Sequence, residues 1–230
     1  MRGLARRIDS IAITTPFVPE WVASLQPAGD LRPLFVFPAS HSDLTMRTDT
    51  EIACLVGPDR PIWGLAHTAA HRDLVRHEGV AALGAEYVRQ IRVLQPAGPY
   101  LLFGNCMGGY LAWETASQLL AQGAQVSGIC FFESPLRADF ANVRAGLMPV
   151  DTTNVWRLAH YYAPAPLPVR LTHLMTPEWH GAKWWRPWQD LAQVGMEVAV
   201  LTDDGTMPRA ERMAAAIRNW AMAAETPRHS

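Results

Sequence analysis

The stretch Tyr100 to Glu114, YLLFGNCMGGYLAWE, constrains this chain more than any other. An apolar run enters the turn Gly104-Asn105-Cys106-Met107-Gly108, and small residues then open an amphipathic segment. Read as strand, turn and helix, this is the setting of a nucleophile elbow. Flanking glycines Gly104 and Gly108 permit a tight turn that lifts the central side chain out of a sheet. The following helix aims free N–H groups at that side chain and favours negative charge there. Serine is the usual occupant of such a turn, and cysteine stands here. A serine hydroxyl needs a base within hydrogen-bond reach, whereas a free thiol of pKa ~8.5 is a few per cent thiolate near neutrality. The helix N-terminus is expected to lower that pKa further. The plainer alternative for Cys106 is a small buried hydrophobe.

The rest of the chain supplies an alternating frame. PLFVFP (33–38), IWGL (62–65), the run from Tyr100, VSGICFF (126–132), VRLTHLM (169–175) and MEVAVL (196–201) read as strands. Between them, helical spacing recurs around residues 48–55, from Val80 to Leu94, from Leu111 to Leu120 and from Met213 to Ala221. Strands apolar on both faces, alternating with helices, imply an α/β fold with a mostly parallel sheet. The first 32 residues read as an irregular leader packing on the domain, and residues 33–230 as the domain itself. Regularity lapses around 136–168, a length typical of a lid or binding loop.

Composition narrows the function classes. A chain of 230 residues, 49% hydrophobic and 18% charged, suits one sizeable soluble domain. A net charge of −1 gives no electrostatic footprint for nucleic acid. No run approaches the ~18 apolar residues of a membrane helix. Cys54, Cys106 and Cys130 lack CxxC spacing, which argues against a zinc site or a disulfide framework. A cytoplasmic protein with reduced thiols, no metal and no membrane or nucleic-acid partner is expected.

PLFVFPASHS, RPIWGLAH and LQPAGPYLLFGNCMGGYLAWETASQLLAQG, in this order, resemble the thioesterases of polyketide and nonribosomal peptide assembly lines. The likeness runs from about residue 33 to 222 and is looser after Arg137. It implies an α/β-hydrolase fold with helices on both sheet faces and a short lid. It also implies an acyl thioester substrate, presented on the phosphopantetheine of an acyl or peptidyl carrier protein, with no cofactor of the enzyme's own. Oxyanion donors would then be the backbone N–H of Met107 and of Ala39 or Ser40.

Three departures from that pattern shape the chemistry. The nucleophile is Cys106, and the acid after the VSGICFF strand falls on Glu133, where aspartate is usual. The family's histidine, in a turn before the last helix, is replaced in VLTDDGTM by Asp204 or its neighbour Asp203. Asp204 is then either a carboxylate base or positioning group, or part of a solvated turn. His41 and His67, each just after a strand, are candidates for a relocated base or for substrate binding, against a reading as exposed loop histidines. His71, His77, His160, His173 and His180 have less positional support. Glu133 either orients a base or caps a strand end. Trp179, Trp184, Trp185 and Trp188 either pack the core or roof an acyl pocket. The expected activity is acyl transfer onto Cys106, with release by cyclisation, condensation or transfer. The alternatives are thioester hydrolysis with a relocated histidine, and a non-catalytic protein that keeps the fold for binding.

Overall fold

The computed structural model describes residues 22–37, 51–65, 74, 78–136, 162–203 and 205–226. Side-chain alternation in the strands sets its layers. In β2 (Leu34–Phe37), Phe35 and Phe37 enter one core while Leu34 and Val36 enter the other. In β4 (Tyr100–Asn105), Tyr100 and Leu102 divide from Leu101 and Phe103 in the same way. β5 (Val126–Phe132) repeats the division with Ile129 and Phe131 against Cys130 and Phe132. Strands buried on both faces need cover on both, and helices supply it.

On the first face lie α1 (Val80–Leu94), through Leu83, Tyr87, Val88 and Ile91, and α2 (Gly108–Ala121), through Leu111, Trp113, Ala116 and Leu119. On the second lie the helical residues 51–56, through Ile52, Ala53 and Val56, and the last helix of the chain, through Met213, Ile217 and Trp220. The remaining strands are β1 (Val22–Gln26), β3 (Ile62–Leu65), β6 (Arg170–Met175) and β7 (Gly195–Val200). After β6 comes a short helix, α3 (Pro177–Ala182), and after β7 the last helix, α4 (Arg209–Glu225).

The sheet order is β1-β3-β2-β4-β5-β6-β7. Only β1 runs antiparallel to its neighbour; the other adjacent pairs are parallel. This is the mostly parallel α/β sheet that the alternating pattern implies, and it agrees with the α/β-hydrolase fold that the resemblance implies. Because β3 lies on one side of β2 and β4 on the other, the strand order reverses between β2 and β4. Open α/β sheets form their crevices at such a switch, outside the strands' carboxyl ends. β4 delivers Cys106 to that edge.

Two elements depart from the sequence reading. Residues 22–26, read as irregular leader, are an edge strand whose Val22 is buried against the core. VASLQ is too short and mixed to announce a strand, and its pairing with β3 shifts register between Ser24 and Gln26. α3 begins at Pro177, whose fixed φ suits a first helical position, and was not foreseen. Residues 137–161, which hold most of the expected lid, lie outside the described residues.

Candidate active site

β4 ends at Asn105 and α2 begins at Gly108, so two residues make the whole turn. Cys106 takes φ 49°, a left-handed conformation that L-residues adopt at a cost. Its backbone is held at both ends. The Cys106 N–H donates to the Phe132 carbonyl at 2.7 Å, and its own carbonyl accepts from the Gly109 N–H at 3.1 Å. The Ser134 hydroxyl donates to that same carbonyl at 2.5 Å.

The turn closes only because side chains are missing. A Cβ on Gly104 would stand 2.5 Å from the Gly109 Cα, and one on Gly109 would stand 2.2 Å from the Ser134 Oγ. Gly108 is the buried first residue of α2. Gly109 was not singled out in the sequence, because the group it must accommodate lies on another strand's exit. A second glycine after the turn was its only signal.

The electrostatics reverse one expectation. Burial pushes the Cys106 thiol up to about 11, against a hydrogen bond from the Met107 N–H, which pulls it down; the Glu133 carboxylate adds to the rise. The donor at the helix N-terminus is thus present, but desolvation of the thiolate outweighs it. The expected depression, visible in the sequence as a helix start, fails because burial is not visible there.

Glu133 follows β5 at φ 48°. One carboxylate oxygen accepts from the Thr176 hydroxyl at 2.7 Å and from the Thr176 N–H at 3.2 Å. The other lies 3.7 Å from the Arg209 guanidinium, at the first residue of α4. Arg209 also stacks over the Phe132 ring, 5.6 Å from its centroid. The acid therefore engages a hydroxyl, an amide and an arginine. Asp203 pairs with Arg212 at 2.8 Å and accepts from the Gly205 N–H at 3.0 Å, as a turn residue would. Asp204 lies outside the described residues, as do His41, His67, His71, His77, His160, Ala39 and Ser40. Phe37, the last described residue of β2, pairs with Gly104 at the elbow.

Of the described histidines, His180 is exposed on α3 and stacks on Trp185, while His173 is buried in β6. Burial lowers His173 to about 3, and its Nε2 accepts from the Ser134 N–H at 3.1 Å. Trp188 is core, packed against Phe131 at 4.8 Å between centroids and donating to the Ser134 carbonyl at 2.9 Å. Trp179 and Trp184 meet edge to face at 4.7 Å and remain partly exposed, as does Trp185. An open cleft of about 380 Å³ runs between Thr176, Asp203, Arg209 and Arg212; Cys106 is not among its lining residues.

Among the described residues no group of three or more His, Cys, Asp or Glu could hold a metal ion, and no helix is long and apolar enough to cross a membrane. The family model of the thioesterase domain matches residues 57–196, more than half of the chain. A dimodular nonribosomal peptide synthase of Bacillus subtilis is 32% identical over 126 residues, covering 54% of this chain and 5% of that protein. The non-reducing polyketide synthase crz7 of Cladonia metacorallifera is 40% identical over 76 residues, covering 33% of this chain and 4% of that protein. The chain thus spans about a twentieth of the length of such curated relatives. Among solved structures, the NocB thioesterase domain from the nocardicin cluster is similar with TM-score 0.65 and 26% identity, covering 88% of this chain and 99% of that one. Its covalent complex with a fluorophosphonate nocardicin G analogue is similar with TM-score 0.68 and 24% identity, at the same coverage.

Proposed function

The chain belongs to the thioesterase domain family, of the kind found in polyketide and nonribosomal peptide synthases, and from that membership we propose that Cys106 takes an acyl group from a carrier-protein thioester. The observation that carries this reading is the strained turn: a non-glycine residue at φ 49°, braced by close-packed glycines, at the sheet's switch point. Strain of this kind persists where the surrounding structure enforces it, and it clusters at reactive residues.

The transfer is an exchange between thiols. The Cys106 sulfur attacks the thioester carbonyl carbon, the bond to the phosphopantetheine sulfur breaks, and the Cys106 proton leaves with that sulfur. The reaction is close to energy-neutral, and the acyl-cysteine stays reactive toward amines and carbanions. The Met107 N–H, already directed at the thiol, is the natural donor to the oxyanion. A thiol raised to about 11 is only ~10⁻⁴ ionised at pH 7, so proton removal accompanies attack. Once formed, a thiolate of high pKa is the stronger nucleophile.

Glu133 is held by Thr176 and Arg209, which supports a role other than orienting a histidine. Release by cyclisation, condensation or transfer to an amine therefore fits better than hydrolysis. Asp204, in the segment between β7 and α4, is proposed to position the accepting amine or hydroxyl. His41 and His67 keep the place of a relocated base in the hydrolytic alternative. A second reading, a protein that binds the carrier or intermediate without covalent chemistry, is favoured by the raised thiol pKa alone.

Cys106→Ser separates these readings in an assay of released products from an acyl-phosphopantetheine thioester with an added amine. The serine variant is expected to lose at least ~10²-fold in turnover, since its hydroxyl needs a strong base. Near-normal turnover would reveal such a base and support hydrolysis. Absence of Cys106-dependent product from the wild type would support the binding reading.

A further inference from the structure

We infer that Ser134 is the positioning residue of Cys106, itself held in place by His173 and Trp188. The inference rests on the reading of Cys106 as the reactive thiol. Ser134 is fully buried, and each of its polar groups is engaged. Its hydroxyl donates to the Cys106 carbonyl at 2.5 Å, its N–H donates to His173 Nε2 at 3.1 Å, and its carbonyl accepts from the Trp188 indole at 2.9 Å. The exits of β4 and β5, β6 through His173, and α2 through Gly109 thereby meet at one serine behind the elbow.

The arrangement dictates the state of His173. To accept from Ser134, Nε2 must be unprotonated, so the neutral ring carries its proton on Nδ1. Among the described residues Nδ1 has no hydrogen-bond partner. The ring packs edge-on against Phe131, 5.8 Å between centroids. A hydrophobic residue would pack there without an orphaned Nδ1, but it would leave the buried Ser134 N–H without its acceptor. What the imidazole adds is the acceptor for Ser134.

The consequence falls on Cys106. The Cys106 carbonyl and its Cα–Cβ bond share one Cα, so turning the carbonyl plane re-aims the sulfur, and the Ser134 hydroxyl, beside the Gly109 N–H, fixes that plane from behind. Gly109 exists as glycine to let it do so, since a Cβ there would overlap the Ser134 hydroxyl at 2.2 Å. With the Ser134 bond lost, the Gly109 N–H alone holds the carbonyl, the plane turns, and the sulfur moves off the Met107 N–H, the donor that lowers its pKa.

The test is the rate of Cys106 alkylation by iodoacetamide against pH, read by peptide mapping so that the exposed Cys54 is scored apart. Ser134→Ala, checked for folding by circular dichroism, should shift the profile to higher pH and slow alkylation at pH 9 about tenfold, one pKa unit of lost thiolate stabilisation. His173→Leu should do the same, while His173→Gln, which keeps an acceptor for the Ser134 N–H, should recover most of the rate. A folded Ser134→Ala protein with the wild-type profile overturns the inference. So do His173→Leu and His173→Gln proteins with equal profiles, and that pair decides the matter if Ser134→Ala does not fold. Acyl loading from an N-acetylcysteamine thioester is measured separately. Its absence in the wild type overturns the proposed function, and the alkylation profiles still decide the role of Ser134.

Discussion

Cys106 shows how far a residue's chemistry departs from its type. A helix N-terminus lies beside it, as the sequence suggests, yet its thiol is raised to about 11, because the cost of desolvating a thiolate exceeds what one N–H returns. Glu133 contributes to the rise, and that contribution can be removed. In Glu133→Gln the carboxylate's charge is gone, so the thiol pKa should fall and the pH profile of Cys106 alkylation should move to lower pH. An unmoved or upward-shifted profile would contradict the charge assignment. In the wild type, the alkylation rate should keep climbing about tenfold per pH unit between 8 and 10, not level off near the ordinary thiol value of ~8.5. The candidate's position was legible in GNCMG; its acidity was not, since burial is a property of the assembled core.

At the scale of elements, the elbow is a packing problem between β4, α2 and the exit of β5. Gly109→Ala pushes a Cβ to 2.2 Å from the Ser134 Oγ and 2.7 Å from its Cβ, so overpacking should cost ~1–3 kcal/mol. Gly104→Ala meets the Gly109 backbone, which cannot swing aside, and should cost more. Urea denaturation of both variants checks the order; a change below ~0.5 kcal/mol in either would show that the turn has slack. β6 carries a second prediction. His173 is lowered from 6.5 to about 3, so the stability its neutral ring contributes is full above 6.5 and is lost as pH falls toward 3. The unfolding free energy should drop from this group by up to ~1.4 kcal/mol per pH unit in that window. His173→Gln should lack that component; identical acid profiles for the two proteins would contradict it. Strands with unbroken apolar runs, such as VSGICFF, were legible because their two buried faces need no partner to announce them. β1 was not, because an edge strand half exposed to solvent owes its existence to β3. Arg209 as the partner of Glu133 escaped for the same reason, as it reaches the acid across the sheet edge from the start of α4.

Among the described residues the molecule is built on a seven-stranded sheet whose order reversal places one strained cysteine at the crevice edge. The family's architecture is retained, and among the described residues Glu133 is met by Thr176 and Arg209. Curated relatives of this chain are synthases many times its length. The central claim is that Cys106 accepts the acyl group. Intact-mass analysis of the wild type and Cys106→Ala after incubation with acyl-phosphopantetheine thioesters tests it most directly, with peptide mapping to locate any adduct. The account predicts a wild-type mass increase equal to the acyl group, mapped to Cys106, absent from Cys106→Ala and discharged by added amine. An adduct that persists in Cys106→Ala, or a wild type that turns over thioester while never carrying acyl on Cys106, would contradict it.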